Sequence, residues 1–120
     1  MCFTAIAIAH VEADEKSDRD AASRLLKATL LQLAEKTKGD KAASDEVARL
    51  QTADNARLDR MAPEIKETFK VKALDQASTD TILTQIKKAI ENAAPDALKD
   101  ALKKRDAKSM PALCWLWRCH

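Results

Sequence analysis

The sequence predicts an all-α protein: an irregular bundle of four to five helices with no significant sheet. Three observations carry this. Apolar residues recur at helical spacing in one stretch after another. Capping residues and prolines fall between those stretches. Ala, Leu, Lys, Asp and Glu dominate, while turn residues are scarce, with one glycine, three prolines and no tyrosine in 120 residues. Helices are expected near 17–38, 44–62, 64–77, 80–93 and 96–107.

The chain opens with Met1 to Ala13, MCFTAIAIAHVEA, then turns abruptly to DEKSDRD. It reads either as a secretory signal or as an apolar arm packed on the domain. The first reading rests on the apolar run Cys2 to Ala9, with Val11-Glu12-Ala13 supplying small residues at cleavage spacing. Ser17 or Asp18 is expected to open the first long helix. Ala22, Leu25, Leu26, Leu30 and Leu33 share one face, with Thr29 among them. Leu31 lies on the far side, which predicts neighbours on two sides. Lys36 and Lys38 suit the last turn, and Gly39 suits the residue after it.

Ser44 is the expected cap of a second helix, with Asp45 and Glu46 near its positive end. Val47, Leu50, Leu58 and Met61 form its stripe. Asp54 interrupts that stripe and reads as a wetter middle turn. Pro63 fits the first turn of a third helix, Glu64 to about Ala77, with Ile65, Phe69 and Ala73 on one edge and Val71 and Leu74 facing elsewhere.

Thr79 or Asp80 is expected to cap the fourth helix. Ile82, Leu83, Ile86, Ala89, Ile90 and Ala93 then fall on one arc. Pro95 stops this helix, because the residue before a proline avoids the α region. It can also open the fifth, with Asp96 near the positive end and Ala97, Leu98, Ala101 and Leu102 on one edge. The expected core is Leu25, Leu26, Leu30, Leu33, Val47, Leu50, Met61, Ile65, Phe69, Ile82, Leu83, Ile86, Ile90, Leu98 and Leu102.

Ser109 to His120, SMPALCWLWRCH, is unlike anything upstream. It holds both tryptophans and the cluster Met110, Leu113, Trp115, Leu116 and Trp117. Left exposed, such a patch would invite association. It is therefore expected to fold back on the helices or to be buried by a partner. The organisation expected is an apolar N-terminal segment 1–13, a helical domain 14–108 and a Cys/Trp tail 109–120.

Composition excludes several classes of function. Hydrophobic residues at 46% and charged residues at 33% describe a packed, soluble chain. A net charge of +2 with interspersed signs predicts neither a nucleic-acid groove nor a basic membrane patch. No apolar run reaches the roughly 20 residues of a membrane span.

The chemical motifs fail on spacing. A calcium loop starting at Asp14 would place Lys16, Arg19 and Leu25 at its third, sixth and twelfth positions, where oxygen ligands and glycine are needed. Cys114, Cys119 and His120, joined by Cys2 or His10, have zinc-binding donors but lack ligands paired about two to four residues apart. A Cys114–Cys119 disulfide fits an oxidising compartment better. No Gly-rich loop, nucleophile elbow or paired His–carboxylate spacing is present, so the sequence predicts neither an enzyme nor a cofactor or metal site.

What remains is a small non-catalytic binding protein. It would enclose a lipid or other small apolar ligand, or dock a protein partner, with no nucleic acid and no membrane span involved. Leu30, Leu33, Phe69, Ile86 and Ile90 are the candidate ligand-binding residues, because the apolar stripes place them toward the bundle interior. Trp115 and Trp117 favour the lipid reading, since tryptophan suits interfaces. The alternative is a structural or self-associating subunit that uses the same stripes. The location expected is secreted or extracellular, and otherwise cytoplasmic.

Met61-Ala62-Pro63-Glu64-Ile65-Lys66, followed by the helical span to Ile90 and by Ala94-Pro95-Asp96-Ala97-Leu98-Lys99-Asp100-Ala101-Leu102-Lys103, resembles the SXP/RAL family of small secreted nematode proteins. The similarity covers about Leu25 to Lys104. It implies an all-helical fold, secretion, and a role in ligand binding or host interaction, with no catalytic residues. The short N-terminal segment, a first helix without an aromatic and the CWLWRCH tail depart from that pattern. Ala62 to Lys66 is also similar to exchangeable insect apolipoproteins, which implies lipid contact.

Overall fold

A computed structural model describes the backbone of residues 2–105 and 110–118 and the side chains of 17–105 and 110–117. Among these residues there are six α-helices, one 3₁₀ turn and no strand: α1 (Cys2–Lys36), α2 (Lys41–Gln51), α3 (Asn55–Phe69), α4 (Gln76–Asn92), α5 (Pro95–Lys104), the 3₁₀ turn Pro111–Leu113, and α6 (Trp115–Arg118). The all-α expectation holds.

The chain is organised around α1. Helices α2, α3, α4 and α5 all pack on it. Its described face supplies Ala21, Ala22, Leu25, Leu26, Leu30 and Leu33 to a single core. The expected start at Ser17 or Asp18 is corrected, since the helix runs through both from Cys2. Nothing in 2–36 breaks it, because the stretch contains no proline or glycine. Two buried threonines are satisfied within this segment: Thr29 and Thr37 donate to the carbonyls of Leu25 and Leu33, each at 2.6 Å. Gly39 then turns the chain with φ of +93°, where a side chain would be strained.

The expected helix 44–62 is two helices. Asp40, not Ser44, caps the first; its carboxylate accepts from the Ala43 amide at 3.0 Å. The first ends at Gln51, where Thr52 donates its hydroxyl to the Arg49 carbonyl at 2.8 Å. Asp54 is no wet middle turn. It caps α3 by accepting from the Arg57 amide at 2.9 Å. A short polar side chain in an apolar stripe thus marks a chain break, because its oxygen competes with the helical ladder for a backbone N–H.

Conversely, the expected corner at Met61–Pro63 does not exist. Helix α3 runs through Pro63 to Phe69. Pro63, which has no N–H to offer the Asp59 carbonyl, and Asp59 itself are both exposed, while Met61, Ala62 and Ile65 are buried. The expected helix 64–77 is therefore the end of α3, a loop, and the start of α4. Lys70, left-handed at φ of 55°, stops α3, and the Val71 amide donates back to the Lys66 carbonyl at 3.0 Å.

Asp75, rather than Thr79 or Asp80, caps α4 and accepts from the Ser78 amide at 2.8 Å. Thr79 is buried one turn inside the helix and donates to the Asp75 carbonyl. Ile82, Ile86 and Ile90 form the buried stripe. The Lys36 ammonium reaches the far end of α4 and donates to the carbonyls of Ile90 and Glu91, each at 2.6 Å. A cation is favoured at that negative helix end. Pro95 opens α5 as expected, and Arg105 ends it at φ of 53°; the expected limit at 107 lies outside the described residues.

Of the expected core, Phe69 and Leu83 are only half-buried against the cluster, and the other members are buried. The tail folds back. Met110, Leu113, Trp115 and Leu116 join the same core, with the 3₁₀ turn packed on α4 and α3 and with α6 packed on α3. The Trp115 indole donates to the Ala112 carbonyl at 2.7 Å, so its burial leaves no polar atom stranded.

Candidate binding groove

Successive turns of α1 present Ser23, Leu26, Lys27, Leu30 and Leu31 on one side of the helix. Opposite them stand Gln51 at the end of α2, Ala53 in the break, and Leu58 in α3. The α2–α3 break, on whose far side Asp54 caps α3, contributes Ala53 to that wall. The result is a half-open apolar groove of about 350 Å³. Its floor includes Leu26 and Leu30, which are buried. Its rim is Leu31, 68% exposed and the one large hydrophobic side chain so exposed among the described residues. Leu31 therefore does not pack on a second neighbour, as its position had predicted.

The five candidate residues divide between two places. Leu30, Leu33, Ile86 and Ile90 are buried together in the core, and Phe69 packs half-buried against it. Only Leu30 also lines the groove. Sequence reasoning missed Lys27, Leu31, Ala53 and Leu58 as a group. One trace was legible: Leu31 breaks the stripe of α1, and an apolar residue off the stripe has no core to enter.

A second cluster holds the tail in place. Glu46 is 6% exposed. Its carboxylate accepts both Arg49 guanidinium donors, at 2.7 and 2.8 Å, the Trp117 indole N–H at 2.9 Å and Arg105 Nε at 3.2 Å. Burial pushes the carboxyl up, but hydrogen bonds from Arg49 and Trp117 and the charges of Arg49 and Arg105 outweigh it and hold it down at about 2. Such a group stays ionised at neutral pH and is not poised to exchange protons there.

Because this pKa is lowered, its stabilising contribution is present above the ordinary value of 4.5 and fades as pH falls toward about 2. Unfolding free energy is expected to drop across that window. In Glu46→Gln, less stable at neutral pH, the drop should be shallower. Equal slopes in the two proteins would exclude Glu46 as its source.

Elsewhere the polar contacts are structural. Arg19 makes a bidentate pair with Asp59 at 2.8 and 2.9 Å, and Lys66 pairs with Asp18, joining α1 to α3. Cys114 is half-buried with its sulfur 3.4 Å from the Thr68 hydroxyl. Cys119 and His120, and the side chains of Cys2 and His10, lie outside the described residues, and with them the Cys114–Cys119 disulfide weighed from the sequence. Among the described residues no three His, Cys, Asp or Glu gather to hold a metal ion. No described helix is long and apolar enough to cross a membrane. No family model, no curated protein and no solved structure matches the chain.

Proposed function

We propose that this is a small non-catalytic binding protein that takes a small apolar ligand into the groove between α1 and the α2–α3 break. The observation that carries the reading is Leu31, held 68% exposed at the rim of an apolar groove of about 350 Å³. That volume falls in the range of small-molecule sites, roughly 300–1,000 Å³. An exposed leucine scattered alone would need no explanation. This one stands beside Leu26, Leu30 and Leu58, which are buried, so the wetted apolar surface that a ligand would cover is chiefly that of Leu31 itself. The core stripes, by contrast, are occupied by one another. The reading also follows the ligand-binding role implied by the likeness of 61–66 and 94–103 to the secreted nematode family.

Native mass spectrometry tests it. Protein incubated with a mixture of single-chain lipids should retain a small-molecule mass, and Leu31→Lys should lose it while keeping its helical circular dichroism. No retained mass after lipid exposure would sink the reading. So would a tight oligomer in light scattering that Leu31→Lys dissolves, which would assign the groove to self-association instead.

A further inference from the structure

Among the eight residues that line the groove, one is charged: Lys27. It is exposed, and among the described residues no ion pair engages it. Three other cations of α1 and α3 are engaged. Lys66 and Arg19 are paired with carboxylates across α1 and α3, and Lys36 caps α4. Lys27 stands one helical turn after Ser23 and one before Leu31, with Leu30 also a turn away. A lysine so placed lays its methylene stem along apolar surface and keeps its ammonium at the edge. Ser23 and Gln51 add a hydroxyl and an amide at the same groove, both able to donate hydrogen bonds.

From this arrangement we infer that the ligand is a single-chain amphiphile with a carboxylate head, its chain along Leu26, Leu30, Leu31 and Leu58 and its head at Lys27. The inference rests on the binding reading above and specifies its ligand class. The volume agrees: about 350 Å³ is the scale of a small-molecule site rather than of a folded partner. The charge agrees as well. A single ammonium with two neutral donors matches one carboxylate, whereas sites for phosphate typically gather guanidinium forks or helix N-termini.

The test is an NMR titration of the full-length chain with dodecanoate, dodecanol and dodecyltrimethylammonium, each below its micelle concentration. Dodecanoate should shift the amides of 23–31 and 51–58 and bind about tenfold tighter than dodecanol, the scale of one charge-assisted hydrogen bond at an apolar edge. Lys27→Glu should abolish that preference. Equal affinities for the three chains, or a preference untouched by Lys27→Glu, would overturn the carboxylate assignment while leaving the groove a binding site. Failure of every chain to shift the groove amides would overturn both.

Discussion

Trp115→Ala is expected to destabilise the protein by about 3–5 kcal/mol, as truncation of a buried large aromatic does. Trp115 is fully buried and belongs to the central cluster. Alanine in its place removes the ring, leaves a cavity between α6 and α3, and deletes the donor to the Ala112 carbonyl. Domains of this size are stable by about 5–15 kcal/mol, so the change consumes about a fifth of the total or more. Urea unfolding followed by circular dichroism measures it without relying on the altered fluorophore. A loss below about 1 kcal/mol would mean that the tail only rests on the surface.

The second large effect is expected at Ile86→Ala, at about 2–5 kcal/mol. Ile86 is the middle residue of the α4 stripe, 0% exposed, with Ile82 and Ile90 buried one turn to either side. Its flanks are fixed, one by the Asp75 cap and the other by Lys36 on the Ile90 and Glu91 carbonyls. The site can therefore relax little to fill the void, which favours the upper part of the range. A change within about 0.5 kcal/mol would place the stripe against solvent. The two substitutions strike the same core from different elements, so measuring both separates a loose tail from a loose core.

The helices around Pro95 were legible because two independent physical rules agree there. Proline forbids the preceding α conformation and presets the first turn of the next helix, and the apolar arcs on both sides keep the helical period. Pro63 looked the same locally, yet α3 continues through it. What decides is whether the freed carbonyl can reach solvent and whether Met61, Ala62 and Ile65 gain more by staying on one buried face, and those are tertiary facts. Asp54 carried the break in its own chemistry. It was readable as a cap, but a lone polar residue in a stripe has a common innocent explanation, and only the bond to the Arg57 amide distinguishes the two.

The core stripes were likewise legible from spacing, while the groove was not. Spacing shows which residues share a face, but not where two faces fail to meet. Leu31 showed only that something was unfinished on that side of α1. The anchoring of the tail by Glu46 was beyond reach for a similar reason: Glu46 and Trp117 lie 71 residues apart, and no local pattern encodes their meeting.

The seating of Leu113, Trp115 and Leu116 in the central cluster bears on how the chain is made. Among the described core residues these are the last to emerge during synthesis, and they complete a cluster whose other members are spread from Ala21 onward. Helices α1 to α5 can form as they appear, but the faces that α3 and α4 offer to the tail stay wet until the tail arrives. Growing chains, and fragments cut off before Leu113, therefore carry an unclosed apolar seam. Such seams promote aggregation and attract chaperones.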